Sequence, residues 1–406
     1  MKKRVVVGID LGTDSIKLAV LEAVQGEAVP RVLGSYAGAS GGIKRGAIME
    51  PKELSELLKA SLDALEKSIG LKMGNYQVAV GGTGLGFQKA KGLVAVSRAD
   101  GKVMKEDVRR ATETSETNLT RLQNREILHK IPLLYKTDSD GPTYDPAGLT
   151  ASKLEAETFF VTAFVQNIKN LLKTFDEADL GAEEIVASPL AASKVALGKR
   201  EREIGAMALD FGAATTSIIL FEEGLPYSLE IFPFGSQHIT QDIAIGFKID
   251  LDEAEKLKIN YGAAGDAAQN FSKKPARNGS GEDFVYGNYS RKKLAEIIEA
   301  RLSDIFELVE KHLKKVGRAG LLPAGVFIVG GGANLPGIES SAKDYLKLPA
   351  KIAEPSALGG FKDKVKNPAW SVAVGAALMG LEKESGFPFL SRSSNSFLKW
   401  LRAFLP

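Results

Sequence analysis

The sequence predicts an α/β fold made of two similar domains that face each other, and three observations support this. The chain has 406 residues, which is more than one ordinary hydrophobic core contains. A pattern of apolar strand, Asp-x-Gly turn and apolar strand near residues 7–20 recurs near residues 207–221. Strand and helix patterns follow each copy, as in other α/β domains.

The composition excludes several classes of function. The apolar and charged fractions, 44% and 25%, are those of a globular protein, and a net charge of +3 is too small to indicate general nucleic-acid binding. The absence of cysteine excludes disulfides, thiolate metal sites and cysteine nucleophiles. His129, His238 and His312 are far apart in the sequence, so we expect neither a histidine metal site nor a catalytic triad. No catalytic residue is predicted.

The N-terminus does not read as a signal peptide. Residues 1–4 are basic, but Asp10 interrupts the apolar run that follows them. No window reaches the roughly 18 apolar residues of a membrane-spanning helix. We therefore expect the chain to remain in the cytoplasm.

The first domain opens with two strands joined by a tight turn at residues 11–15. Leucines at helical spacing and a proline at the first position predict a helix further along. Residues 84–157 break the pattern with short strands, a charged helix and a turn-rich segment. The expected elements are strands over 5–10, 16–23 and 77–80, helices over 51–69 and around 105–124, and a strand followed by a helix over 158–180.

The second domain begins near Gly205 with another strand, turn and strand. Residues 264–287 are rich in glycine, asparagine, serine and lysine, which predicts a surface loop. Small and apolar residues over 370–381 are typical of a buried helix. The other expected elements are strands over 206–210, 218–221 and 326–329 and helices over 236–247, 251–261 and 290–315.

These patterns divide the chain into two cores and a tail, with a linker over 385–395 and a terminal helix over 396–406.

The first turn carries groups that suit phosphate binding. Gly12 permits a positive φ angle and close backbone approach, and successive N–H groups in such a turn can form an anion nest. Thr13 and Ser15 add hydroxyl donors, and Lys17 adds a positive charge. Asp10 would repel phosphate directly but suits an outer ligand of hydrated Mg²⁺. A plain β-hairpin with solvated charges fits the same residues.

The second turn repeats this arrangement with Asp210, Gly212, Thr215 and Thr216. Two acid-bearing turns that face each other across a cleft could hold phosphates and a metal between them. The alternative is that Ala213–Ala214 are only small residues of a buried turn.

A third turn, GGGANLPG at residues 330–337, lies between a strand and a helix pattern. Its glycines would let the backbone lie flat against a ligand and open a helix N-terminus toward an anion. Asn334 adds side-chain hydrogen bonds. An ordinary strand-to-helix turn fits this segment alone, but the three turns in this order are far more specific.

The three turns together resemble the actin and heat-shock-chaperone ATPase superfamily, and within it the FtsA family of bacterial cell-division proteins. RGAIMEPKEL is similar to that family's Lys-Gly-x-Ile stretch before a helix. LHKIPLLYKTDSDGPTYDPAGLTASKLEAETFFVT resembles a segment of the subdomain that is inserted in the family's first domain. The resemblance implies a two-domain actin-like fold of ribonuclease-H-like repeats, with an inserted α+β subdomain. The units it implies are a first core of residues 1–83 and 158–198, an inserted subdomain of 84–157, a second core of 199–223 and 303–384, and a second small subdomain of 224–302.

The resemblance also implies that ATP and Mg²⁺ bind in the cleft. Asp10 and Asp210 would hold the metal through water, and residues 331–334 would lie under the adenosine. Glu255 and Lys258 match positions near the ribose and base, although a solvated helix face explains them equally well. The implied ATP-binding residues are Asp10, Gly12, Thr13, Ser15, Lys17, Asp210, Gly212, Thr215, Thr216, Glu255, Lys258, Gly331, Gly332, Ala333 and Asn334.

One departure from the family pattern concerns the second turn. The family has a glycine run there, whereas this chain has Ala213–Ala214. Their methyl groups would narrow the approach to the γ-phosphate and exclude a left-handed φ. No residue is evident that would orient an attacking water, so the sequence predicts ATP binding with weak or absent hydrolysis.

The C-terminal segment SFLKWLRAFLP, residues 396–406, has an amphipathic pattern. Lys399 and Arg402 lie opposite an apolar face, which predicts binding to an anionic membrane interface. Several copies in one assembly would make the attachment stable. Docking on the protein's own surface or on a partner helix is the alternative. The apolar face consists of Phe397, Leu398, Trp400, Leu401, Phe404 and Leu405.

The resemblance implies partners as well. Proteins of this family form filaments, contact other division proteins and bind the acidic C-terminal tail of the division tubulin FtsZ. Arg291, Lys293 and Arg301 are the candidate contacts, because a basic cluster would pair with an acidic peptide, although a helix solubilised by its charges fits too. The expected role is to tether the FtsZ ring to the cytoplasmic side of the cell membrane at the septum.

Two other functions remain open from the sequence. A platform protein of the PilM type, from type IV pilus assembly, would need ATP and the inserted subdomain but no terminal helix. A small-molecule kinase or phosphatase of the same fold would need a catalytic base and a second substrate pocket.

Overall fold

A computed structural model describes residues 3–120, 122–181, 184–271, 284–285 and 289–382. The predicted linker 385–395 and terminal helix 396–406 lie outside the described residues. Within them, no helix is both long and apolar enough to span a bilayer.

The chain alternates strands and helices, numbered in chain order. The first part contains β1 (Lys3–Leu11), β2 (Ser15–Val24), β3 (Arg31–Ala39), β4 (Ile43–Lys44), β5 (Ala47–Ile48), α1 (Pro51–Ile69), β6 (Tyr76–Val80), β7 (Leu85–Ala95), α2 (Lys105–Thr117), β8 (Arg125–Thr137), β9 (Pro142–Thr143), β10 (Lys153–Phe164), α3 (Val165–Glu177), β11 (Glu184–Ala187), α4 (Ser188–Ala196) and α5 (Lys199–Ile204).

The second part continues from Ala206 to Glu382. It contains β12 (Ala206–Phe211), β13 (Thr216–Glu222), β14 (Leu225–Phe232), α6 (Ser236–Phe247), α7 (Leu251–Tyr261), α8 (Gly265–Phe271), β15 (Phe284–Val285), β16 (Tyr289–Ser290), α9 (Arg291–Lys315), β17 (Gly325–Val329), α10 (Ile338–Leu346), β18 (Ala350–Ile352), β19 (Gly359–Gly360) and α11 (Ser371–Glu382).

Two sheets form the cores of the two domains, and five strands have the same order in both. The first sheet has the order β11-β6-β1-β2-β3-β19, and the second has the order β14-β13-β12-β17-β18. In each, an antiparallel meander of three strands is followed by two parallel strands on the side of its first strand. The repeat seen in the sequence is therefore a repeat of the fold, and the predicted two-domain α/β architecture is confirmed.

The buried faces explain why these segments fold as they do. Leu54, Leu58, Leu62 and Leu65 form one apolar face of α1, which is buried against the first sheet. Gly70 ends this helix with a left-handed φ of 74°, a conformation in which a side chain would be strained.

The insertion forms a separate sheet with the order β7-β10-β8-β9, covered by α2. Its last long strand, β10, pairs with β7 and β8 along its whole length. The predicted end of the insertion at residue 157 therefore falls inside a strand. Residues 158–164, with the apolar sequence TFFVTAF, are expected in the first core, but they pair with β7 and β8 of the inserted sheet.

The chain returns to the first domain at its C-terminal end. β19 pairs with β3 of the first sheet, and α11 packs on β1, β2, β6 and α4. The predicted second core, which extended to residue 384, therefore contains elements that pack on the first domain. Within the predicted loop over 264–287, residues 265–271 form the short helix α8, and residues 272–283 and 286–288 lie outside the described residues.

Candidate functional site

A cleft with a cavity volume of about 730 Å³ lies between the two domains, within the size range of small-ligand sites. The turns that follow β1 and β12 line it from opposite sides, and α6, α7 and the turn after β17 complete it. All the predicted nucleotide residues line this cleft except Thr216 and Ala333.

The two acid-bearing turns have the same geometry. Asp10 pairs across its hairpin with Lys17, and Asp210 pairs with Ser217 at the equivalent position. A Cβ atom on Gly12 would lie 2.8 Å from the carbonyl oxygen of Ser15, and one on Gly212 would lie 2.9 Å from that of Thr215. Each turn therefore needs glycine because its backbone folds back on itself.

This geometry corrects two expectations about φ angles. Neither Gly12 nor Gly212 has a positive φ, and neither do Ala213–Ala214. The alanines therefore fit the second turn without backbone strain. The glycine run of the family pattern is not required for this conformation.

The second turn rests on the N-terminus of α6. The N–H groups of Ser236 and Gln237 donate to the carbonyl oxygens of Gly212 and Ala213 at 2.9 and 2.8 Å. The first helical N–H groups, which lack partners within a helix, are thereby used to hold the turn. This fixes the backbone of the turn at the edge of the cleft.

Burial and neighbouring charges shift the pKa values of the two carboxyl groups. Burial raises the pKa of Asp10, and the neighbouring charge of Lys17 opposes this. Burial, followed by the charge of Asp10, raises the pKa of Asp210 to about 7. Lys17 Nζ also donates to Ser15 Oγ at 2.7 Å, so the one cation of the first turn lies beside its hydroxyl group.

The carboxylate oxygens of the cleft are ligands of the kind that Mg²⁺ prefers. Two carboxylates that repel each other gain from a cation between them, and Mg²⁺ prefers oxygen ligands and keeps much of its water shell. The described residues contain no group of three or more acidic, histidine or cysteine side chains that could enclose a metal. The residues present therefore fit a hydrated Mg²⁺ that is bound largely through water and substrate.

The third turn packs on the second. Gly330 has a φ of 88°, and a Cβ atom there would overlap Asp210 Oδ1. A Cβ on Gly332 would overlap the ring of Phe211, whereas Gly331 faces open space. Asn334 donates to the Gly331 carbonyl at 3.0 Å, which holds the turn together.

Side chains from α6 and α7 form a polar cluster on the cleft wall. Lys258 Nζ donates to Glu255 Oε2 at 2.7 Å and to Thr240 Oγ1 at 2.8 Å, and the Thr240 hydroxyl donates to Glu255. The predicted pair Glu255 and Lys258 is therefore held in a fixed arrangement, with Thr240 as a third member that the sequence analysis missed.

Two predicted residues do not reach the cleft. Thr216 is the first residue of β13 and is fully buried, and its hydroxyl donates to the Phe234 carbonyl at 2.8 Å. Side chains alternate along a strand, so Thr215 and Thr216 cannot both face the cleft. Ala333 is also fully buried, in the hydrophobic core of the second domain.

The predicted acidic-peptide contacts are partly occupied by intramolecular bonds. Arg301 donates to both carboxylate oxygens of Asp242, at 2.6 and 2.9 Å. Lys293 Nζ donates to the Gly246 carbonyl at 2.6 Å. The guanidinium group of Arg301 thus has a bidentate partner within the chain, and an acidic peptide would have to compete with Asp242 for it.

Sequence reasoning missed several cleft residues. The segment GGTGLG, residues 81–86, follows β6 and carries no recognised phosphate motif, and the hydroxyl and amide residues form no motif either. The missed lining residues include Gly46, Gly81, Gly82, Ser188, Ser217, Gln237 and Gln241.

A hydrogen-bonded serine, histidine and glutamate occur together outside the cleft. Ser228 Oγ lies 3.1 Å from His312 Nε2, and His312 Nδ1 lies 3.2 Å from Glu230. The hydrogen bond from His312 lowers the pKa of Glu230. Ser228 is completely buried, so no substrate can reach its hydroxyl group, and the three residues tie β14 to α9.

Two family models match the chain. The model described as "Cell division protein FtsA" matches residues 207–375, and the "SHS2 domain inserted in FTSA" matches residues 82–162. Together the two ranges cover more than half of the chain, and the second corresponds to the inserted sheet.

Curated cell-division proteins named FtsA are similar over nearly the whole length. The protein from Borreliella burgdorferi is 28% identical over 394 residues, which cover 95% of this chain and 92% of that protein. The protein from Pseudomonas aeruginosa is 27% identical over 402 residues, which cover 97% and 93%. The protein from Bacillus subtilis is 29% identical over 374 residues, which cover 91% and 82%.

Solved structures show the same fold at lower identity. A PilM–PilN type IV pilus biogenesis complex aligns with a TM-score of 0.67 and 18% identity, covering 93% of this chain and 98% of that chain. MreB5 of Spiroplasma citri bound to ADP aligns with a TM-score of 0.52 and 14% identity, covering 94% and 97%. The predicted two-domain actin-like fold with an insertion is thereby confirmed. The chain belongs to the FtsA family of cell-division proteins.

Proposed function

We propose that this chain binds ATP with Mg²⁺ in the cleft, polymerises as an actin-like filament on the cytoplasmic side of the cell membrane and tethers the FtsZ ring to it at the septum. The observation that carries the proposal is the pair of equivalent acid-bearing turns on one cavity, in a chain similar to FtsA proteins over nearly its full length.

In this proposal the two turns hold the phosphates from both sides. Backbone N–H groups of the turns, the hydroxyls of Thr13, Ser15 and Thr215 and the charge of Lys17 would contact phosphate oxygens. Because each turn belongs to a different domain, one nucleotide would connect the two domains.

The metal and the nucleoside would occupy adjacent parts of the cleft. Mg²⁺, when bound, would neutralise phosphate charge, with Asp10 and Asp210 orienting its water ligands. Gly331, Gly332 and Asn334 would contact the adenosine from one side. Glu255, Lys258 and Thr240 would contact it from the helical wall.

Proteins with a similar fold have been solved with bound nucleotides and as a filament. MreB5 of Spiroplasma citri was solved with ADP and with AMPPNP, and MamK was solved as a double helical filament. These proteins share the fold, and they motivate the proposal that this chain also binds nucleotide and contacts copies of itself.

The membrane and FtsZ contacts are proposed from two segments of the chain. The helix that the sequence predicts over 396–406 would bind anionic lipids through its apolar face and its cations. Arg291 and Lys293, at the start of α9, would contribute to a surface for the acidic FtsZ tail. Filament formation would place many terminal helices on one membrane and so strengthen the attachment.

The tethering proposal predicts that membrane binding depends on the terminal helix. We expect the full chain with ATP to sediment with vesicles that contain phosphatidylglycerol and to carry FtsZ with it. A chain ending at Gly386 and the variant Trp400→Glu should remain in the supernatant, because both lose the apolar face. Vesicles of phosphatidylcholine alone serve as the control.

Other sedimentation results would contradict the tether. If neither the full nor the shortened chain sediments, or if both do equally, the terminal helix is not the anchor. A PilM-like platform role would then gain support. The likeness to PilM now shows the fold alone, so we do not propose that role here.

A further inference from the structure

We propose that His129, in the inserted subdomain, is a positioning residue for the nucleotide cleft and acts through the backbone at Ala187 and Ser188. The inference rests on the proposed ATP binding and adds a route by which the insertion can influence it. The chemical class of ligand is a nucleoside triphosphate.

His129 bridges two sheets. It lies on β8 of the inserted sheet and is only 7% exposed. Its Nε2 accepts a hydrogen bond of 2.9 Å from the backbone N–H of Ala187, the last residue of β11 in the first sheet. A ring nitrogen accepts through its lone pair, so this bond requires an imidazole with no proton on Nε2.

The position of β11 explains why this bond matters. β11 is the edge strand of the first sheet, and within the described residues no further strand pairs beyond it. A backbone N–H that is buried at such an edge needs a partner from outside the sheet. His129 supplies that partner at the end of the strand. Without an acceptor the amide would be buried and unpaired, which favours a shift of the strand end.

The end of β11 is also part of the cleft. Ser188 directly follows Ala187, begins α4 and lines the cavity. A Cβ on Gly81 would lie 2.8 Å from Ser188 Oγ, so this serine sits close against the backbone that follows β6. The hydrogen bond of His129 is therefore one residue away from the cleft wall.

The helix that begins at Ser188, α4, also contacts the second domain. α4 packs on α11 and also on β12, β13 and β17 of the second domain. A displacement at its first residue would therefore change both the cleft wall and a contact between the domains. This buried hydrogen bond therefore connects the inserted subdomain to the cleft wall and to that contact.

Apolar packing should keep the insertion attached when this bond is removed. Leu128 and Ile131 of β8 belong to the same buried cluster as Ile185 and Leu190 around the end of β11. Loss of the acceptor should consequently act on the position of Ser188 and leave the insertion docked.

The test compares three variants of the full chain. His129→Ala removes the acceptor, and His129→Gln replaces it with an amide oxygen of similar reach. Ser115→Ala is the matched control, because it removes a buried hydrogen bond of 2.9 Å, to Thr158, inside the insertion. Two quantities are measured, namely hydrogen exchange of residues 185–190 without nucleotide and the dissociation constant of a fluorescent ATP analogue with Mg²⁺.

We expect His129→Ala to exchange faster over residues 185–190 and to bind the analogue about fivefold more weakly or worse, in the usual range of coupling between sites. His129→Gln should recover both properties, and Ser115→Ala should change neither. If His129→Ala exchanges faster but binds normally, or if His129→Gln is equally impaired, the inference is overturned while ATP binding stands. If the unmodified chain binds no analogue, the proposed function falls and the inference falls with it.

Discussion

Replacing Gly375 with alanine is expected to lower the free energy of unfolding by about 3 kcal/mol or more. Gly375 lies on α11, and a Cβ atom there would overlap the backbone carbonyl oxygen of Ala191 on α4. A backbone atom cannot move aside as a flexible side chain can, so the two helices must separate. α4 also packs on β12 of the second domain, and α11 covers β1 of the first.

The measurement is thermal and urea-induced unfolding of Gly375→Ala beside a matched control. Gly74→Ala is suitable, since a Cβ at Gly74 meets no atom within 4 Å and that glycine has no positive φ. The control should unfold like the unmodified chain. Similar unfolding midpoints for the two variants would show that α4 and α11 do not pack as closely as described.

Replacing Asp210 with asparagine is expected to stabilise the nucleotide-free protein at high pH and to weaken the binding of Mg²⁺ and ATP. The pKa of Asp210 is about 7, against an ordinary value of 3.8 in the unfolded chain. Between these values the folded state binds more protons, so stability falls as the pH rises from about 4 to about 7. The full difference corresponds to about 4 kcal/mol, and partial exposure to cleft water reduces the expected gain at pH 8 to about 2 kcal/mol.

Asp210→Asn is expected to raise the free energy of unfolding and to lower the affinity for Mg²⁺ and ATP. The two effects can be measured separately. Unfolding at pH 8 should show the gain, and unfolding at pH 4.5, where the aspartate is protonated, should show little. Titration calorimetry with Mg²⁺ and ATP should show an affinity about 10- to 100-fold lower, as for other groups that orient metal ligands. Asp63→Asn, an exposed acid on α1, is the control. A variant that is less stable at pH 8 would refute the raised pKa.

The sequence could reveal the two turns because each needs particular residue types. A turn with a half-buried acid, a glycine and a following hydroxyl leaves a motif, and the two copies mark the repeat of the fold. The structure adds the reason for the glycines. Gly12 and Gly212 are required by a carbonyl oxygen three residues later, which no single-residue φ preference could indicate.

Several expectations differ from the structure because the position of a residue depends on which other segment pairs with it or packs against it. Thr216 shares a motif with Thr215, but the pleat of β13 turns it into the core. The run TFFVTAF is a strand by composition, and only pairing with β7 and β8 shows to which sheet it belongs. The return of α11 to the first domain likewise depends on packing with α4 and β1.

The roles of helical wall residues were also beyond the sequence. Thr240 joins Glu255 and Lys258 because α6 and α7 bring them together. Arg301 on α9 is predicted from the sequence as a contact for an acidic peptide, but its guanidinium group donates to the carboxylate of Asp242 on α6. A charge pattern on one helix does not show which charges a neighbouring helix will neutralise.

The measurement that tests the central claim most directly is calorimetric titration of ATP with Mg²⁺ into the unmodified chain, Gly12→Ala and Gly212→Ala. In each turn the new Cβ would contact the carbonyl oxygen three residues later, which belongs to Ser15 in the first turn and to Thr215 in the second, so the two variants are a matched pair. We predict one ATP per chain, and an affinity about 100-fold lower in each variant, because each turn loses hydrogen bonds to phosphate. Unchanged affinity in either variant, or no binding by the unmodified chain, would contradict a nucleotide held between the two turns.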